Sequence, residues 1–270
     1  MEVIEHTILN SCSDIFSIYP LGDIHGGSID CAEDEIKKKV EEVRTNRNAY
    51  WIGMGDMVES ITKNDKRFEI CGLAEWVKPD NIIESQRRWL KDLLKPIAPK
   101  CLGFLMGNHE WTILQNNSDD ITRNLCYDLK VPYGGYACFI TMTFKRKNSN
   151  ETHRFVIHAW HGSGAAQSEG GQLMRLTKLV NDVKADIYLM GHLHTIDIYT
   201  PDRLECRNGR VVSTRLIAAI TGSWLRTYTQ PKGIQHLNAS YGERKGYKPS
   251  RIGCPIIKLS PYKGWFTVEV

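Results

Sequence analysis

The sequence predicts an α/β fold, a parallel sheet covered by helices and joined to a second, mostly antiparallel layer. Two observations carry this. In the first half, the apolar runs "IFSIYPLGD", "AYWIGMGD" and "CLGFLMGN" alternate with stretches of helical periodicity. Beyond Pro132 the texture changes to β-branched and aromatic segments broken by polar turns.

Taken in order, "IFSIYPL" reads as a buried strand and "CAEDEIKKKVEEVR" as an exposed helix with Ile36, Val40 and Val43 on one side. "AYWIG" is the second strand. Residues 57–80 then form a long irregular connection, expected to be a lid or insertion that sets substrate size. "NIIESQRRWLKDLLKPI" resumes helical periodicity until Pro96 and Pro99 stop it, and "CLGFLMGN" is the third strand. "YACFITMTF" and "HRFVIHAW" make an antiparallel pair around the turn "KRKNSNET". "GGQLMRLTKLVNDV" is helical and "ADIYLM" a strand, while "NGR" at 208–210 marks a hairpin turn. "PIIKLS" and "WFTVEV" close the second layer. A single domain over residues 1–270 is expected.

With 270 residues and 41% hydrophobic content, the chain can bury a substantial core. A net charge of +4 allows nucleic acid as a partner without demanding it, and no long run of like charge occurs. The eight cysteines are scattered with no CxxC spacing, so thiolate zinc and thioredoxin-type chemistry are unsupported. The first twenty residues carry early acids and lack the pattern of a secretory signal, which predicts reduced thiols and a cytoplasmic protein. "RLIAAITGSWL", the most apolar later stretch, is too short to span a bilayer, so no membrane partner is expected. Nothing in the sequence indicates an oligomeric state.

The chemistry lies at the ends of the apolar runs. "GDIHGG" holds Asp23 and His25 two apart, and on an extended backbone such side chains point to one face. Asp56 follows the second run, Asn108 and His109 the third, His161 stands in "HAWHGSG", and His192 and His194 in "GHLH". Five strand termini bearing metal-ligand residue types are not a packing pattern. Gathered at the carboxyl edge of a sheet, where open α/β folds bind ligands, they supply carboxylate, amide oxygen and imidazole without thiolate. That set suits two divalent ions, manganese first, with iron, zinc, cobalt or nickel as alternatives. A carboxylate must bridge such a pair, and Asp56 is the choice. Two ions about 3.5–4 Å apart grip two oxygens of a phosphoryl group and stabilise an in-line displacement. His109, beside Asn108, is placed to protonate the leaving oxygen as general acid.

"GDIHG", "GDMVE", "GNHE", "HG" and "GHLH", in this order, resemble the calcineurin-like metallophosphoesterase superfamily. The resemblance implies a four-layer fold, a β-sandwich flanked by helices with a dimetal centre at its edge. It implies that Asp23, His25, Asp56 and His194 hold one ion, that Asp56, Asn108, His161 and His192 hold the other, and that His109 is the proton donor. The first three motifs are also similar to those of protein serine/threonine phosphatases, GDxHG, GDxVDRG and GNHE. Here, however, Ser60 stands where that family has a phosphate-gripping arginine, and Met106 precedes Gly107. Without an arginine fork the clamp on a phosphomonoester dianion is lost. The expected activity is therefore hydrolysis of a phosphodiester, nucleic acid or nucleotide. The alternatives are a phosphomonoesterase acting on a small molecule or phosphoprotein, and a non-catalytic scaffold that binds partners with this fold.

Other residues have plainer readings. His158 lies inside an apolar strand and reads as a core histidine, whereas His161 stands at its end before glycine, as a ligand does. His6, His153 and His236 read as surface or turn residues. Glu59 either orients His109 or is a simple exposed acid. Trp111 and Trp224 either pack in the core or border the substrate. "YGERKGYKPSR", residues 241–251, interleaves basic and aromatic residues and is either a solvated loop or a nucleic-acid contact.

Overall fold

The computed structural model describes residues 1–166, 168–228 and 239–270. In chain order the strands are β1 (Glu2–Asn10), β2 (Phe16–Leu21), β3 (Ala49–Gly53), β4 (Cys101–Leu105), β5 (Tyr133–Gly135), β6 (Ala137–Arg146) and β7 (Thr152–Trp160). They continue with β8 (Ile187–Met190), β9 (Ile196–Tyr199), β10 (Asp202–Arg207), β11 (Arg210–Arg215), β12 (Ile217–Thr221), β13 (Ile256–Ser260) and β14 (Trp265–Glu269). The helices are α1 (Glu33–Thr45), α2 (Ile82–Leu94), α3 (Asn108–Asn117), α4 (Ile121–Leu129), α5 (Glu169–Asp182) and the short α6 (Tyr241–Lys245).

Two six-stranded sheets stack face to face, ordered β14-β13-β2-β3-β4-β5 and β1-β6-β7-β8-β12-β9. Strict alternation along the strands builds the layers. Ile18 of β2 and Ile52 of β3 point between the sheets, where they meet Ile140, Met142, Phe155, Ile157 and Ile217. Their neighbours Tyr19, Leu21 and Trp51 point outward, against Ile36, Val40 and Val43 of α1, Leu90 and Leu94 of α2, and Leu125 of α4. On the far side, Leu176, Leu179 and Val180 of α5 cover Tyr188, Ala218 and Ile220. The result is the expected four layers, a β-sandwich flanked by helices.

β2, β3, β4 and β5 are parallel neighbours, in agreement with the strand–helix alternation. Two expectations fail. The second sheet is mixed rather than mostly antiparallel, because β1 joins β6, β8 joins β7 and β12 joins β8 in parallel, leaving only β6–β7 and β9–β12 antiparallel. The closing strands β13 and β14 belong to the first sheet, where β13 pairs antiparallel with β2. Ile257 and Leu259 then complete the core between the sheets, a long-range packing outcome that local texture does not encode. Helix α2 ends at Leu94 as expected, but the chain runs on through Pro96 and Pro99 as a 3-10 segment, Lys95–Lys100. At the "NGR" turn Asn208 and Gly209 both take positive φ, 50° and 72°, and join β10 to β11 as a two-residue hairpin.

Residues 57–80 are irregular apart from one 3-10 turn, Ile70–Gly72. They are fastened by backbone bonds from Ile29 N to Gly72 O and from Ala74 N to Gly27 O, each 2.9 Å. Phe68, Leu73 and Trp76 pack there on Ala74, Val77 and Ile82. Among the described residues no helix is long and apolar enough to cross a membrane.

Candidate metal centre

Each predicted site residue lies just past the carboxyl end of a strand: Asp23 and His25 after β2, Asp56 after β3, Asn108 and His109 after β4, His161 after β7, and His192 and His194 after β8. Both sheets therefore feed one edge. Asp23 and His25 do not converge along an extended backbone, as the sequence suggested. They sit in the left-handed region at φ 48° and 51°, as do Asp56 at 48°, His192 at 73° and His194 at 56°. Of the ten non-glycine residues at positive φ among those described, these five belong to the site. Each costs about 1–2 kcal/mol relative to ordinary backbone, so strain is concentrated where the side chains must converge. Gly107 answers to the same crowding, since a Cβ there would lie 2.1 Å from Asp56 Oδ1.

The convergence is tight. Asp23, His25 and His194 form one group that could hold an ion, Asp56, His161 and His192 a second, and His25, Asp56 and His109 a third, with the ligating atoms of each within 4.8 Å of one another. His194 Nε2 is 3.3 Å from Asp23 Oδ1 and 3.1 Å from His25 Nε2. His161 Nε2 is 3.4 Å from Asp56 Oδ2 and 3.0 Å from Asn108 Oδ1. Asp56 is common to the second and third groups, and His25 to the first and third, so the three groups form one continuous cluster.

Hydrogen bonds on the outer side fix which ring atom faces inward. His25 Nδ1 donates to Glu59 Oε2 at 2.8 Å and His161 Nδ1 to the Met54 carbonyl at 2.7 Å, leaving each Nε2 with its lone pair toward the centre. His192 Nε2 donates to the Gly164 carbonyl at 2.9 Å, which leaves its Nδ1. The donors, two carboxylates, an amide oxygen and imidazole nitrogens, are those of a borderline divalent cation. Two carboxylates with exposures of 0% and 1% and several converging lone pairs have no reason to be buried together without one.

Without an ion, Asp56 and His161 act as each other's charge partner. Burial works against charge at Asp56, yet the imidazoles around it, His161 foremost, hold its carboxyl well below the usual range. Burial likewise opposes the imidazolium of His161, but Asp56 prevails and carries it up to about 10. At His25 burial dominates and the value falls. At His109 burial lowers and the Asp56 and Glu59 carboxylates raise, and the net shift is upward.

Glu59 does not hold His109 with its carboxylate. That carboxylate takes His25, and His109 Nδ1 donates to the Glu59 backbone carbonyl instead. His158 is buried on β7 against Phe139, away from the centre, with neither ring nitrogen partnered. His6 Nε2 donates to the Leu102 carbonyl of β4 at 2.7 Å, and His153 is half-buried on Phe155, while His236 lies outside the described residues. Trp111 is exposed and Trp224 buried. Part of 241–251 forms α6, whose Arg244 pairs with Glu69 at 2.5 Å.

Sequence reasoning missed Glu110. From the first turn of α3 its buried carboxylate accepts four backbone N–H groups, those of Asp56, Met57, Val58 and Gly107, at 2.7–3.2 Å. It thereby ties the loop after β3 to the loop after β4. An acid three residues after the helix-capping glycine was the available signal. Also missed was Arg226. The positions of the absent arginines, Ser60 and Met106, are buried, but Arg226 reaches a cavity of about 210 Å³ that opens beside His25, His109 and His194. Its backbone N–H bonds to Asp30 O and its Nη1 to Cys31 O, both at 2.9 Å.

Comparison with known proteins finds the family model for calcineurin-like phosphoesterases matching residues 16–195. No curated protein matches the chain. Among solved structures, the crystal structure of a conserved uncharacterized protein, a predicted phosphoesterase from Streptococcus pneumoniae TIGR4, is 12% identical. The match covers 95% of this chain and 98% of that one, with a TM-score of 0.34. The family match spans the strands and loops that carry Asp23, Asp56 and the five clustered imidazoles, and the chain belongs to the calcineurin-like phosphoesterase family, enzymes that hydrolyse phosphoesters with bound metal.

Proposed function

We propose that this enzyme hydrolyses a phosphodiester, a nucleic acid or nucleotide, at a two-ion centre. Asp23, His25, Asp56 and His194 would hold one ion and Asp56, Asn108, His161 and His192 the other, with manganese the first choice. Bound there, the ions supply Lewis-acid activation of the phosphoryl group and of the attacking water.

The chain's own residues do the rest. Glu59, the Met54 carbonyl and the Gly164 carbonyl orient His25, His161 and His192. Glu110 holds the two loops that carry Asp56 and Asn108. His109 gives a proton to the leaving oxygen. Its Nδ1 is engaged by the Glu59 carbonyl, so Nε2 is the atom that gives that proton.

The observation that carries the diester reading is the pair Ser60 and Met106. Both are buried, at 4% and 1% exposure, so neither position where phosphatases grip a dianion can offer a cation. A diester, with one negative charge, does not require that grip. The test is hydrolysis of bis-p-nitrophenyl phosphate beside p-nitrophenyl phosphate by metal-stripped protein resupplied with manganese. Faster cleavage of the diester is expected. Preference for the monoester would assign the enzyme as a phosphomonoesterase.

A further inference from the structure

We propose that the cavity beside His109 receives the leaving group, and that the substrate is a low-molecular-weight phosphoester whose leaving alcohol is compact, largely apolar and no larger than one nucleoside. This rests on the phosphoester-hydrolase reading above. The reaction is ordinary hydrolysis. The water oxygen forms the new bond to phosphorus, the ester P–O bond breaks onto the leaving oxygen, and that oxygen takes the proton of His109, which the water's own proton later restores.

Position is the first argument. The cavity reaches the centre through His25, His109 and His194, the side on which His109 must meet the leaving oxygen. Ser28, Ile29 and Asp30 of the loop after β2 form one further wall, and the rest come from two segments far apart in sequence. Ile61, Phe68 and Leu73 belong to the connection after β3, and Leu225 and Tyr247 to the region after β12. The Arg244–Glu69 ion pair spans these two walls, and the backbone bonds at Gly72 and Ala74 fasten the first of them.

Size and charge give the second argument. At about 210 Å³ the cavity is below the roughly 300–1,000 Å³ usual for drug-sized ligands, room for one ring system rather than several nucleotides. A polymer strand needs a continuous basic groove with successive stacking platforms. Here Arg67 pairs with Asp65 at 2.8 Å and Arg244 with Glu69, and the third arginine at the walls, Arg226, is bonded through Nη1 to the Cys31 carbonyl, so the walls hold isolated, engaged cations rather than a basic groove. The apolar faces of Phe68, Leu73 and Leu225 remain for the ligand.

The test is calorimetric binding of two non-hydrolysable ligands, phenylphosphonate and methylphosphonate, to the manganese-loaded protein. Both meet the metal centre, and only the first fills the cavity. Phenylphosphonate should bind about tenfold more tightly, as burial of a ring predicts. Leu225→Ala and Phe68→Ala should each reduce that preference below about threefold while leaving methylphosphonate affinity unchanged, which also shows the variants to be folded. Equal binding of the two ligands by the parent protein, or a preference that survives both substitutions, overturns the pocket alone. Failure to bind either, with bis-p-nitrophenyl phosphate also left uncleaved by the same manganese-loaded protein, overturns the hydrolase reading with it. Cleavage of closed circular single-stranded DNA as readily as of a mononucleotide ester would overturn the size limit.

Discussion

Glu110→Ala tests how the centre is supported. The Glu110 side chain touches none of the reacting atoms in the account above, yet it accepts four buried backbone N–H groups, Met57 and Val58 on Oε1 and Asp56 and Gly107 on Oε2. Burial and the Asp56 charge push its carboxyl upward, but all four of these partners are donors and they favour the ionised form. Each buried amide left unsatisfied costs about 1–3 kcal/mol. Water entering the space left by truncation restores part of this, so the low end of the range applies, about 4 kcal/mol for the set. Total stabilities of roughly 5–15 kcal/mol make that a large loss. In a chain of this size it corresponds to a fall in Tm of roughly 10 °C. Glu110→Gln retains one acceptor oxygen but turns an NH2 toward the other two amides, so it should recover less than half of the loss. The assay is thermal and urea unfolding of metal-free protein, with manganese affinity measured in parallel. Affinity should fall as well, since Asp56 loses the anchor on its own N–H. A Tm within 2 °C of the parent for Glu110→Ala would refute the reasoning.

Three further outcomes follow from the same geometry. His109→Asn should lower turnover by about 10²–10⁴-fold with bound metal unchanged, as read by steady-state kinetics and metal analysis, and surviving activity would mean that another group is the acid. Glu59→Gln weakens the acceptor that orients His25 and should reduce manganese affinity by about 10–100-fold in equilibrium dialysis. The Asp56–His161 pair sets a pH dependence in metal-free protein. The folded value of His161 is raised from 6.5 to about 10, so the pair's contribution is complete below pH 6.5 and is lost as pH rises through 10. Tm should therefore fall over that window more steeply for the parent than for His161→Gln, and parallel curves would contradict the assignment.

What could be read from the sequence follows from which interactions are local. The helix α1 was legible because Ile36, Val40 and Val43 repeat at helical spacing, and the parallel strands because their apolar runs are continuous and end in Gly-Asp or Gly-Asn. The convergence of Asp23, His25, Asp56, Asn108, His109, His161, His192 and His194 was legible because strand ends of such a sheet meet at one edge. β1 was not, since "EVIEHTILN" is a mostly exposed edge strand whose partner β6 lies more than a hundred residues away. The partner of β13 was hidden for the same reason. The helices α3 and α4 escaped because "GNHE" read as a strand end, while the helix that begins at Asn108 is what presents Glu110 to the neighbouring loop. The left-handed turns at Asp23 and His25 could not be inferred because, although aspartate and histidine enter that region more often than other non-glycine residues, most of them do not, and only the convergence at the sheet edge selects it here.

The central claim is that two metal ions held through Asp56 carry out phosphoester hydrolysis. The most direct measurement is dialysis of metal-stripped protein against manganese(II), with bound metal per chain and bis-p-nitrophenyl phosphate turnover read on the same samples. Two ions per chain are expected, with turnover rising as the second binds, and Asp56→Asn should lose both occupancy and turnover. Turnover by stripped protein in the presence of a chelator, or undiminished turnover in Asp56→Asn, would contradict the account.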